Sequence, residues 1–187
     1  MFAVAVEALF LRALEGKLDP ATKARLREAG IDVDEPLLAA YPAEAFHRGV
    51  AIAAEVAFPG LPQDEAQRRL GLVHIDGFIR TYPGRMMVAL ARQLAPRTIL
   101  ESTATFVRLG NNFTETRCRI LGPQRAEVWF NEVFGAPHWY RGIIERGLTA
   151  SNVQGVEVRY LGGQGEATFD VIWTGRGPAL APRPGTG

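Results

Sequence analysis

Cysteine is almost absent from this chain. Cys118 stands alone, which excludes an internal disulfide and a cysteine-cluster metal site and suits a reducing compartment. Lysine is nearly as scarce, with only Lys17 and Lys23, so the positive charge rests on arginines scattered along the chain, and the net charge is +1. No overall field and no basic stripe favour nucleic acid or an anionic membrane. No apolar run reaches the ~18 residues of a membrane span. The opening "MFAVAVEALFLRALEGK" is apolar but lacks a basic leader and carries Glu7, so it does not read as a signal peptide. Complete catalytic motifs are missing as well. There is no G-x-S-x-G elbow and no His-x-x-x-His. "LGGQG" at 161–165 links two predicted strands, whereas a phosphate cradle needs a helix directly after it. These absences lead to the expectation of a cytoplasmic protein with no nucleic-acid partner, membrane span, metal or cofactor.

The 187 residues, 47% apolar and 22% charged, have the composition of one globular domain able to bury a core. Asp19-Pro20 supplies an N-cap and a first helical residue for a short helix that Gly30 stops. The spacing predicts further helices from about Ala43 to Phe58, from Gln63 to the Pro83-Gly84 break, over "RMMVALARQL", and from Pro96 to Gly110. The first apolar run, "FAVAVEALFLRAL", is compatible with a strand or a buried helical turn.

At Asn111 the period changes from helical to two. Thr114, Thr116, Cys118 and Ile120 share one face of a strand, and Glu115, Arg117 and Arg119 the other. After the turn "GPQR", Ala126, Val128 and Phe130 alternate with Glu127, Trp129 and Asn131. A helix starting at "PHWY" and two more alternating runs, "VEVRYLG" and "ATFDVIW", complete the pattern. The predicted fold is α+β: a helical N-terminal portion, then hairpin–helix–hairpin forming a four-stranded antiparallel sheet with helices on one face. One domain is expected over residues 1–174, with a flexible Pro/Gly-rich tail over 175–187.

The candidate ligand- or partner-binding residues are Arg117, Trp129 and Asn131 on the polar face of the first hairpin, and His138, Trp139 and Tyr140 at the helix start. Trp and Arg are enriched at the centres of protein contacts. An aromatic cluster such as "HWY" also covers sheet edges for packing alone. His47 and His74 fall within predicted helices, where a packed or surface imidazole is commoner than a ligand. Cys118, mid-strand on the core face, reads as a small buried hydrophobe. No residue is assigned a catalytic role.

"GNNFTET", "Trp-Phe-Asn-Glu", "PGLPQDEAQRRLG" and Leu38 to Pro42 give the chain a resemblance to a myxobacterial paralogous family of unknown function, of about 180 residues, from "VEALFLRAL" to Trp173. That resemblance implies no chemistry. The element order is similar, more coarsely, to the four-vinyl-reductase, haem–nitric-oxide-binding and TRAPP-subunit group, which implies a small-molecule or acyl pocket between helices and sheet. The Tyr-x-Ser-x-Arg motif of the haem branch is missing here, and Cys118 lies in a predicted strand where the acyl branch uses a helical cysteine. The expected function is a non-enzymatic, regulatory module that binds an apolar small molecule, a protein partner or both, and self-associates. The alternative is a haem or other cofactor-dependent sensor, or an enzyme of unrecognised type.

Overall fold

The computed structural model describes residues 1–177. Its helices are α1 (Ala3–Val6), α2 (Pro20–Glu28), α3 (Ala43–Ala57), α4 (Gln63–Ile79), α5 (Tyr82–Ala91), α6 (Pro96–Glu101), α7 (Thr103–Arg108) and α8 (Pro137–Ala150). The strands are β1 (Thr116–Gly122), β2 (Arg125–Phe130), β3 (Val153–Gln154), β4 (Glu157–Gly162), β5 (Ala167–Ile172) and β6 (Gly175–Arg176). β1, β2, β5 and β4 lie in that order in one antiparallel sheet. The α+β architecture expected from the change of period is therefore present, with both hairpins placed as anticipated.

Several local expectations are corrected. Of the two readings open for the first apolar run, the buried helical one holds and the strand does not, with α1 continuing into a π-helical stretch over Glu7–Ala13. The helix expected to begin after Pro83-Gly84 begins before them. Thr81 Oγ1 accepts the Gly84 N–H at 3.2 Å, and Pro83 occupies the first turn, where its missing N–H costs nothing. The single helix expected over Pro96–Gly110 is two, because Ser102 leaves the helical region with φ −88° and ψ 4°. Gly175 and Arg176, assigned to the tail, pair as β6 with Val153 and Gln154. The tail expectation for 178–187 lies outside the described residues.

Alternation decides the two faces of the sheet. Ala126, Val128, Phe130, Ala167, Phe169 and Val171 are buried toward the helices. The opposite face carries ion pairs: Arg119 to Glu127 at 3.0 Å and Arg125 to the buried Asp170 at 2.8 Å. Cys118 is half-buried against the core edge, and burial raises its thiol pKa. α8 is clamped to the sheet by Arg141 Nε, which donates to the Val158 carbonyl at 2.8 Å. α4 crosses α8 where Gly71 meets Gly142, and a Cβ on either would run into the other helix's backbone. This crossing brings the inward side chains of α4 and α8 together under the sheet.

Candidate functional site

A cavity of about 190 Å³ lies between the N-terminal helices, α8 and the sheet. Its walls are Val4 and Ala5 from the first helix, Ile75 and Phe78 from α4, Val88 and Ala91 from α5, and Leu100 and Phe106 from α6 and α7. Phe130 from β2 and Ile143, Ile144 and Leu148 from α8 complete the enclosure. The break at Ser102 has a consequence here: α6 and α7 both reach the wall, and the Thr103 hydroxyl that donates to the Leu100 carbonyl at 2.6 Å closes the corner between them.

Besides Thr103, Asn111 and Ser151, the lining contains three polar aromatic side chains: His74 from α4, and Trp139 and Tyr140 from the first turn of α8. All three are buried. His74 Nδ1, Trp139 Nε1 and the Tyr140 hydroxyl have no hydrogen-bond partner among the described residues. The Ala5 backbone lies against the His74 ring and favours its charged form. The Thr114 hydroxyl stands beside Tyr140 without a bond of good geometry. A buried polar group without a partner costs about 1–3 kcal/mol, and native interiors leave few such groups unless water or a ligand answers them.

Burial sets the electrostatics. Desolvation pushes the His74 imidazole down to about 3, against the Ala5 backbone, which favours the charged form. His47, behind it, is pushed down to about 4, again mainly by desolvation. Both are therefore neutral near pH 7. Burial also raises the Tyr140 phenol well above its ordinary value, so it remains an O–H donor. The rings pack as one aromatic group: His74 lies 5.3 Å from Trp139, and His47 stacks on Phe134 at 4.6 Å. Phe134 holds a left-handed backbone, φ 47°, to make that stack.

The six residues singled out from sequence do not converge. Arg117 and Trp129 do meet on the outer face of the sheet, with the guanidinium 4.8 Å above the indole. The half-buried Trp129 also donates Nε1–H to Glu166 at 3.1 Å. Asn131 secures the start of β1, accepting the Glu115 N–H at 2.8 Å and donating to the Phe113 carbonyl. His138 lies at the α8 start, 3.5 Å from Asp64 and edge-on to Tyr160. Trp139 and Tyr140 turn inward to the cavity. His74 joins them from α4 although sequence analysis treated it as packing. Its signal was its place midway between Leu70 and Phe78 on the buried helical repeat, which does not distinguish a packed imidazole from one facing a void.

Among the described residues, no three His, Cys, Asp or Glu side chains gather as metal ligands, and no helix is long and apolar enough to cross a membrane. The fold is shared with H-NOX structures. An Fe(II) unliganded H-NOX mutant from K. algicida superposes with a TM-score of 0.66 at 12% identity, over 93% of this chain and 97% of that one. A mutant H-NOX from T. Tengcongensis gives 0.65 at 14% identity, over 92% and 96%. No curated protein matches by sequence. The family described as "Protein of unknown function (DUF2378)" matches residues 1–174, and the chain belongs to it.

Proposed function

We propose that this domain binds a small apolar molecule in the cavity between α4, α8 and the sheet, and that binding rather than catalysis is its role. The observation that carries this reading is the cavity itself. Concave, mostly apolar sites with a few converging polar groups are the usual form of small-molecule pockets, and here side chains from α4, α5, α7, α8 and β2 meet around one. Gly147 on α8 offers the test. It lines the cavity, and a Cβ there meets nothing within 4 Å. Gly147→Leu should fill part of the cavity while keeping the helix. Native mass spectrometry of protein purified without refolding should show an organic adduct on wild type that Gly147→Leu lacks. A wild type free of adduct that binds no apolar probe in thermal-shift titration rejects the reading.

A haem sensor is the second reading, favoured by the fold, since one of the solved H-NOX structures concerns heme distortion in that family. The one imidazole among the lining residues is His74. No lining residue is Lys or Arg, and the one cationic group the lining residues carry is the Met1 ammonium, already donating to the Tyr41 carbonyl at 2.7 Å, so the two propionates of a haem lack a pair of cationic partners. The residues suit an uncharged ligand better than haem. Titration with haemin separates the readings: a stoichiometric Soret band lost in His74→Leu would establish the second.

A further inference from the structure

We infer that the outer face of α5 is the docking surface for a protein partner, an amphipathic helix whose apolar seam is edged by carboxylates. This surface is separate from the cavity, and its role does not depend on what the cavity binds. α5, "YPGRMMVALA", carries a single charged residue, Arg85. A helix that is apolar all round is ordinarily covered all round. Here one side alone is covered. Gly84, Val88 and Ala91 are buried, and Val88 and Ala91 line the cavity. The other side carries Tyr82, Met86 and Leu90, exposed at 72%, 59% and 59%. Seven large apolar side chains stand exposed among the described residues, and this one short helix holds three of them. Single exposed apolar residues are ordinary on a protein surface, whereas a contiguous row marks a contact site.

Spacing sets the kind of partner. Residues four apart form one ridge along a helix, and such a ridge packs into the groove of a second helix. Met86, at the middle of the row, is the side chain that adapts most readily to another surface. Charge sets the partner's edge. The exposed Arg85 and Arg92 stand seven residues apart, and so lie on one side of α5 beside the row. Arg85 donates to the Arg80 carbonyl at 2.9 Å and Arg92 to the Ala150 carbonyl at 2.9 Å. Neither pairs with a carboxylate among the described residues. The chain has no Asp or Glu between Asp76 and Glu101, although that stretch holds four arginines. Two uncompensated guanidiniums beside an apolar ridge call for carboxylates on the partner, which Arg can bind through two parallel hydrogen bonds. A helix fits this surface better than an anionic bilayer does. The opposite edge of the row is formed by Pro83 and Met87, whereas a helix lying in a membrane interface spreads Lys and Arg over its polar face.

The experiment uses the 187-residue protein and two synthetic helical peptides of equal length and identical leucine seam, one edged by glutamates and the other by lysines. Fluorescence anisotropy reads the affinities. Wild type should bind the glutamate-edged peptide about tenfold more tightly than the lysine-edged one, and the difference should shrink as salt is added. Met86→Glu should weaken that binding about tenfold, and Arg85→Glu should turn the preference toward the lysine-edged peptide. Both positions are exposed, so the thermal midpoint should not move. The same point is read without any substitution: amide shifts induced in wild type by the glutamate-edged peptide should centre on α5. Equal binding of the two peptides, binding of neither, or shifts centred on another element overturns the proposal. Vesicles of phosphatidylcholine and phosphatidylserine in equal parts that bind wild type but not Met86→Glu, when neither peptide binds, overturn it in favour of a membrane. A dimer in sedimentation that Met86→Glu abolishes overturns it in favour of a second copy of this chain.

Discussion

Gly71 of α4 and Gly142 of α8 face each other where the two helices cross, close enough that a methyl group on Gly71 would strike the Trp139 carbonyl oxygen and one on Gly142 the Arg68 carbonyl oxygen. The obstacles are backbone, which cannot rotate aside. The crossing also carries Arg68, which bonds both Glu65 on its own helix and Glu145 on α8. In effect this pair of glycines sets how far Trp139 and Tyr140 reach toward His74.

Gly71→Ala should therefore destabilise the domain by about 1–3 kcal/mol through overpacking, even though alanine gains about 1 kcal/mol in helix propensity. Gly147→Ala, on the same helix as Gly142 but with open space at its Cβ, should be neutral or stabilising. Urea denaturation of the two variants checks the contrast. Equal stabilities would mean that the helices do not pack this closely in solution.

Phe130 tests the inner face of the sheet. It is 2% exposed and packs edge-on to Phe169 at 5.7 Å, so Phe130→Ala should cost about 3–5 kcal/mol by leaving a cavity. Glu127, on the outer face and paired with the exposed Arg119, should cost under about 1 kcal/mol as alanine. Chemical denaturation measures both.

The buried imidazoles predict acid sensitivity. His47 and His74 are held well below the ordinary histidine value of 6.5, at about 4 and about 3, chiefly by desolvation. Below pH 6.5 the unfolded chain takes up protons that the folded one refuses, so stability is full above that pH and falls as the solution is acidified toward pH 4. For His47 alone the loss across this window is roughly 3 kcal/mol. His47→Phe should preserve the stack on Phe134 and give a shallower decline in thermal midpoint between pH 7 and pH 4.5 than wild type.

Self-association through the outer face of the sheet is expected from the position of Trp129, and sedimentation of wild type and Trp129→Glu at several concentrations checks it. The substitution removes the stack under Arg117 and the bond to Glu166 but touches no residue of the inner face. The expected outcome is a concentration-dependent dimer in wild type and a folded monomer in the variant. A wild type that is monomeric throughout removes this surface from consideration.

Local chemistry was enough to read the change of period at Asn111, the two hairpins and the capped start of α2, where the Asp19 carboxylate accepts the Thr22 N–H at 2.7 Å. Each depends on neighbours a few residues apart: strand alternation, a turn, a cap. The same reasoning misread the Pro83-Gly84 pair, because a proline that breaks a helix from within also begins one, and only the Thr81 cap distinguishes the two. The site lay further beyond reach. "PHWY" drew attention by composition, but the direction in which Trp139 and Tyr140 point depends on the Gly71–Gly142 crossing, between residues distant in sequence. His74 carries no local mark at all. A single helical repeat says that it is inward, while its place in the lining follows only from helices of the whole N-terminal half leaving a space beside it. Sequence by itself determined the elements and the faces they bury, since these follow from short-range periodicity. Tertiary structure alone decided which polar atoms remain unpaired and which residues line a cavity, because both are properties of how separate elements pack and fail to fill the volume between them.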